Sequence, residues 1–370
     1  MRIAEFAGVE LRVGRVRIGE GVRIGEGTVI VADELVLADG AVVGPGCDLR
    51  SARLECGAGA QVGAGARWLV ADLARLGPGS VVDTGSDAVC RELTIGRGTY
   101  LGQRLRIGAG ATMEERSIVR IGDGCQIAPD VTLNCTEPVL IGHRVGISAE
   151  VAVFTHGYHA GHPVRDGHGA AFAGVELGAG VWLGFRAVVL PGVRVGEGTI
   201  VAASATVTES LPAGVLAAGV PAKVKRELRP RALDARHRRE AVADLVAGWL
   251  DRLVFKGLAV CEKPDAVPAR WEVSGRGSRW QVRLDAEVEV ASVELRPAAG
   301  EAAVFGFGEP LTVTGVLDEL GHDLRDFCRR ATWLFEYPTN SRGLMPQRFA
   351  RLLDAEAPGG AGAGHGRPSR

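Results

Sequence analysis

The sequence predicts a mainly β fold: a parallel β-helix of about ten coils, interrupted by one long excursion and followed by a small α+β domain. Three features lead to it: a six-residue aliphatic beat, an excess of glycine, and a change of character after Pro221. The beat is cleanest from Leu177 through Leu183, Val189, Val195, Val201 and Val207, with Gly178, Gly184 and Gly196 after three of them. A helix repeats near 3.6 residues and a lone strand near 2, so six marks short strands joined by tight bends. Three such strands close a triangular coil of about eighteen residues, with aliphatic side chains stacked along the axis. Gly supplies the positive φ at the bends, and 53 glycines without a collagen-like triplet suit a chain that turns every few residues.

Upstream, Ile18, Ile24, Ile30, Val36 and Val42 keep the beat, which is poor between Gly44 and Ala74. Ile95, Leu101, Ile107 and Met113 restore it. After slips of two it continues through Ile121, Ile127 and Leu133, then Ile141, Ile147 and Val153. From Val153 to Leu177 the spacing is 24, a multiple of six, yet the stretch 155–174 reads THGYHAGHPVRDGHGAAFAG. A segment that leaves the wall and returns in phase is an extruded loop, and insertions in repeat proteins gather on a functional face. Residues 1–228 are therefore expected to form the β-helix domain, 229–357 a separate α+β domain, and 358–370 a disordered tail. In the second domain, Val242, Leu245, Val246, Trp249, Leu250 and Leu253 follow helical spacing within 231–256. Residues 270–273, 280–284 and 288–295 alternate like strands, and a second helix is expected near 318–336.

Composition narrows the function classes. The net charge of −1 gives no electrostatic reason to expect nucleic acid or an anionic membrane as partner. No apolar stretch approaches the length of a membrane span, and the first residues lack the apolar segment of a secretory signal, so a cytoplasmic location is expected. Seven cysteines without a Cys-x-x-Cys spacing argue against a disulfide framework and a zinc ribbon.

The stretch GVWLGFRAVVLPGVRVGEGTIVAASATVTESLPAGVLAAGVPAKVKREL, residues 180–228, resembles the end of the hexapeptide-repeat acyltransferases. These include the maltose, galactoside and colanic-acid O-acetyltransferases. The signature lies in the Val-Thr-x-x-Leu-Pro turn and Ala218-Gly219-Val220-Pro221-Ala222-Lys223 after it. The resemblance covers 118–228 well and the upstream coils more loosely. It implies a left-handed β-helix, a homotrimer, and transfer of acetyl from acetyl-CoA to a hydroxyl of a sugar, glycoside or related small molecule. No metal is expected.

Such a transfer needs a general base, because an alcohol is a poor nucleophile near neutral pH, and His is suited to that role. By resemblance the base lies at the start of the extruded loop. Relatives there read Thr-x-x-His or Thr-His, and this chain reads Thr155-His156-Gly157-Tyr158-His159. A gapless alignment puts Tyr158 where many relatives place the catalytic His. Both His156 and His159 therefore stand as candidates, with His156 favoured. For the acyl donor, the resemblance carries over Trp182, Gly184, Ala203, Thr208 and Lys223, with Arg226 as a phosphate contact. Phe185 and Glu209 depart from the family pattern. Phe185 stands where relatives often have a small residue beside the thioester, and Glu209 replaces a common Lys. Asp130, Asn134 and Glu137, on the coil before the loop, are candidates for holding acceptor hydroxyls through hydrogen bonds.

Two other classes fit the same coil. A γ-carbonic-anhydrase-like enzyme would hold a metal with three His, and the loop His cluster invites that reading. A non-catalytic trimeric scaffold would use the coil as a strut, but a strut has no reason to carry a Thr-His pair on an extruded loop.

Overall fold

A computed structural model describes residues 7–108, 115–157, 172–228, 234–263, 266–275, 277–286, 290–331, 333 and 335. The chain divides into two compact units, with Leu233 and Asp234 at the junction.

The first unit is a parallel β-solenoid. One of its walls is a ladder of ten parallel rungs from Arg23–Ile24 to Val215–Ala218, closed by the antiparallel strand Lys223–Glu227. Along it Ile24, Val43, Val62, Val82, Leu101, Ile127, Ile147, Leu183, Val201 and Ala217 lie one above another and are buried. One coil alone cannot bury such a column. Stacked coils remove each side chain from water, worth about 1.5–3 kcal/mol apiece for Val, Leu and Ile, so the repeats stabilise each other. Where a large residue enters a column, a small one follows: Leu49 pairs with Trp68, and Trp68 with Ala88. The Trp68 indole N–H donates to Ser86 Oγ at 3.0 Å, which satisfies its one polar group.

Coil length explains where the six-residue beat fails. Glu10 pairs with Val29, Val29 with Asp48, and Asp48 with Arg67, steps of 19 rather than 18. The long strands Glu10–Ile18, Val29–Leu37 and Asp48–Cys56 run through a corner without a separate turn. The extra residue shifts the phase: Leu37 and Val43 are buried in the core, whereas Val36 and Val42, which the beat selected, are only half-buried. Register shifts between Ser51 and Arg53 and between Val70 and Leu73 fall where the beat is poorest. Only in the last coils does the step become 18, as from Glu176 to Arg194 and from Trp182 to Ile200.

Two coils are longer. Glu92 pairs with Ile118, a step of 26, and Val139 with Val175, a step of 36. Met113 and most of the expected loop, including His159, lie outside the described residues.

The second unit contains helix α1 (Ala235–Phe255), helix α2 (Glu319–Arg330) and a six-stranded antiparallel meander running from Ala259–Lys263 to Thr312–Thr314. The buried face of α1 is the expected set Val242, Leu245, Val246, Trp249, Leu250 and Leu253. Asp234 caps it, its carboxylate accepting the His237 N–H at 2.8 Å. The strand expected at 288–295 is Ser292–Pro297, and α2 is shorter than the expected 318–336. The strands Ala259–Lys263, Ala303–Gly306 and Thr312–Thr314 escaped the sequence pattern.

Candidate active site

Strand Thr132–Asn134 lies beneath Ala152–Val153 in the stack, with Leu133 opposite Val153. Both strands end at one corner, so Asn134 comes under Thr155 and His156. Asn134 and Thr155 are wholly buried. The Asn134 amide is fixed by its partners: Nδ2 donates to the Gly108 carbonyl at 2.9 Å, which turns Oδ1 the other way. Oδ1 accepts from the Thr155 N–H at 3.2 Å and from the Thr155 hydroxyl at 3.0 Å. It lies 2.9 Å from His156 Nδ1. Thr136 Oγ1 is 3.2 Å from the same ring nitrogen. An amide oxygen only accepts, so Nδ1 carries the proton and a neutral His156 has its lone pair on Nε2. The ring is thus held in the tautomer a proton acceptor requires.

The loop is pinned at its base. His156 forms an antiparallel bridge with Phe172, their ring centroids 6.3 Å apart, and the Ala173 N–H donates to the Thr155 carbonyl at 3.0 Å. The Glu137 N–H donates to Thr155 Oγ1 at 3.0 Å, and its carboxylate pairs with Arg116 at 2.5 Å.

The three acceptor candidates are not equivalent. Asn134 is buried with its amide engaged by Gly108, Thr155 and His156. Asp130 stands at the opposite end of the strand, at φ 62°, gripped by Arg104 through two hydrogen bonds of 2.7 and 2.6 Å. The Arg104 guanidinium holds its carboxyl below the usual range. Glu137 shares the His156 corner with Asn134, through its N–H bond to Thr155 Oγ1.

The donor candidates occupy the last coils. Trp182 is half-exposed and lies over Gly146, where a Cβ would come within 2.3 Å of the indole. Gly184 has a packing reason of its own: a Cβ there would sit 2.5 Å from the Ala203 nitrogen in the coil above. Ala203 and Thr208 are exposed on that coil. The closing segment folds back on it, with the Ala222 N–H donating to the Thr206 carbonyl at 2.8 Å. Lys223 then meets Glu209 at 3.3 Å, and Arg226 is exposed on the closing strand opposite Leu216. Phe185, also exposed, has the Arg186 guanidinium 4.8 Å from its ring centroid. Sequence reasoning missed Thr136 and Phe172 as neighbours of His156, and the orienting role of Asn134. Among the described residues no group of three or more His, Cys, Asp or Glu is placed to hold a metal, and no helix is long and apolar enough to cross a membrane.

A solenoid of stacked hexapeptide coils defines a class of repeat protein, and known proteins of that class are similar to part of this chain. The family profile described as Bacterial transferase hexapeptide (six repeats) matches residues 174–209. The galactoside O-acetyltransferase of Escherichia coli K12 is 30% identical over 141 residues, covering 37% of this chain and 57% of that protein. Its Lactococcus lactis counterpart is 33% identical over 114 residues, covering 30% and 53%. The chain thus spans little more than half the length of these relatives. Along this stretch the solenoid is similar to hexapeptide-repeat acetyltransferases. Among solved structures, a galactoside acetyltransferase in complex with coenzyme A is 26% identical with a TM-score of 0.26, covering 41% of this chain and 66% of its own. A hexapeptide-repeat acetyltransferase of Vibrio cholerae, complexed with acetyl coenzyme A, is 23% identical with a TM-score of 0.32, covering 38% and 72%.

Proposed function

We propose that this chain is an acetyl-CoA-dependent O-acetyltransferase acting on a hydroxyl of a sugar or glycoside, with His156 as general base. The observation that carries the reading is the 2.9 Å contact between His156 Nδ1 and Asn134 Oδ1, which leaves Nε2 as the basic atom. In the reaction, Nε2 takes the acceptor hydroxyl proton as the oxygen attacks the thioester carbonyl. The tetrahedral oxyanion collapses, the carbon–sulfur bond breaks, and the imidazolium returns its proton to the departing thiolate. Asn134 Oδ1 and Thr136 Oγ1 face the Nδ1–H throughout, stabilising the imidazolium without taking its proton.

On the donor side, Lys223, Lys225 and Arg226 gather three cations on the closing strand, suited to nucleotide phosphates. The Glu209 pair opposes only one of them and is exposed, so phosphate displaces it at small cost. The names of the relatives support acetyl transfer to a sugar-like acceptor. We propose further that the assembly is a homotrimer, as the sequence resemblance implies, which light scattering tests.

The experiment is a transfer screen with acetyl-CoA across sugars and glycosides, with the product detected by mass. His156→Ala is expected to lower kcat by about 10²–10⁴-fold, while His159→Ala leaves it nearly intact. The reverse pattern would move the base to His159. Two fully active variants would end the transferase mechanism.

A further inference from the structure

The meander of the second unit has one face buried and one open. Val273, Trp280, Val282, Leu284, Val293 and Leu295 are buried on the first. On the other, the register places Lys263 opposite Arg270, and Arg270 opposite Arg283. Three cations therefore form one row across three adjacent strands, each strand advancing it by about 4.8 Å. Like charges directly opposite one another destabilise a sheet. The solenoid avoids this arrangement, alternating Arg15, Glu34 and Arg53 on successive rungs. Nor is the row a product of a basic unit, since residues 234–335 hold 14 Lys and Arg against 17 Asp and Glu.

The row is incompletely neutralised. Lys263 meets Glu272 at 3.0 Å, and Arg283 reaches Asp285 at 3.3 Å and Glu294 only at 3.9 Å. Arg283 Nε is buried with no hydrogen-bond partner among the described residues. Arg270, the central cation, is exposed and has no ion-pair partner among the described residues. A donor without an acceptor in the middle of a like-charge row is the arrangement that an incoming anion completes.

We propose that this open face binds an acidic oligosaccharide carrying carboxylates on successive sugars, anchored by the Lys263, Arg270 and Arg283 row. The planar guanidinium of Arg270 offers a carboxylate a bidentate partner, and the cross-strand pitch suits charges repeated at the spacing of a sugar ring. Beside the row, Gln281, Ser274 and Glu272 offer donors and acceptors for hydroxyls. Nucleic acid fits less well: strand alternation puts Trp271 and Trp280 on the other face, leaving these strands no ring for base stacking here.

The test is calorimetric titration of the full chain with a short oligogalacturonate at low salt, beside a neutral malto-oligosaccharide of equal length and a single-stranded oligonucleotide. It reads binding and needs no turnover, so it stands apart from the transferase reading. Wild type is expected to bind the acidic probe and not the neutral one. Losing one charge-assisted contact costs about tenfold in affinity, so R270Q should lose about tenfold and R270Q/R283Q about a hundredfold. Arg236→Gln, on the exposed Arg236–Glu240 pair of α1, should bind as wild type does. Since Arg270 has no ion-pair partner to lose among the described residues, R270Q should also melt at or above the wild-type temperature. The proposal is overturned by no binding of the acidic probe, by equal binding of the neutral one, by unchanged affinity in R270Q/R283Q, or by tighter oligonucleotide binding with the same arginine dependence.

Discussion

Replacing Asn134 with Ala tests whether a buried amide sets the chemistry at the solenoid rim. Three groups depend on the side chain, the Gly108 carbonyl at 2.9 Å, the Thr155 N–H at 3.2 Å and His156 Nδ1 at 2.9 Å, while the Thr155 hydroxyl at 3.0 Å also has the Asn134 main-chain carbonyl at 3.1 Å. Truncation orphans the first two in a buried position, at roughly 1–3 kcal/mol each. The third keeps Thr136 as an alternative acceptor and adds little. The expected destabilisation is therefore about 2–6 kcal/mol, or a fall in Tm of roughly 4–24 °C for a unit of this size. The catalytic loss should exceed that of a merely less stable protein. Under conditions where the variant is fully folded, kcat should drop about ten- to a hundredfold as the ring loses its orienting partner. Asn134→Asp separates the effects, because it retains an acceptor for Nδ1 but faces the Gly108 carbonyl with a second acceptor. It should lose stability yet keep the Nδ1–H tautomer, read from the imidazole nitrogen chemical shifts. An Asn134→Ala protein with wild-type stability, or one whose His156 tautomer and kcat are unchanged, would refute the reasoning.

Other expectations follow from packing and charge. Gly184→Ala should cost about 1–3 kcal/mol in denaturant unfolding, because its Cβ would meet the Ala203 backbone nitrogen at 2.5 Å; an unchanged midpoint would show the coils to be more loosely stacked. Glu92 accepts hydrogen bonds from Arg120 at 2.8 and 3.0 Å, and this pairing holds its carboxyl below the usual range. Its contribution is present in full above the unfolded value, about 4.3, and is lost as pH falls through the folded value. Glu92→Gln should accordingly be less stable than wild type at neutral pH and equal to it in acid, whereas a gap that widened in acid would contradict the pairing. Of the seven cysteines only Cys261 is exposed, and burial pushes the Cys56 and Cys328 thiols up to about 12. Thiol titration should therefore find one reactive group in the folded protein and all seven after unfolding; further fast-reacting thiols in the folded state would contradict the burial.

The coil was legible because its physics repeats. One inward aliphatic residue per strand, at a spacing no helix or single strand produces, identifies the solenoid from Leu177 onward, where the step is 18. The same logic misplaced Val36 and Val42, because a coil of 19 residues keeps the stack but not the beat. Similarly, the sequence offers Asn134 as a polar residue for acceptor hydroxyls and not as a neighbour of His156. Only the pairing of Leu133 with Val153 brings it under Thr155 and His156, a relation between coils that no local pattern contains. In the second unit, α1 announces itself through its apolar face, whereas the five-residue strand Ala259–Lys263 is mostly exposed and has no apolar alternation to read.

The two long coils have a further consequence. Glu92 pairs with Ile118 and Val139 with Val175 in the same parallel register as coils without an excursion. The wall therefore does not measure the length of chain between its rungs. Chain length between Glu92 and Ile118, and between Val139 and Val175, is not fixed by the pairing of the rungs, so a change in it need not be tolerated first by the core. Descent can vary the chemistry of such a chain by trading inserts while inheriting the frame unchanged.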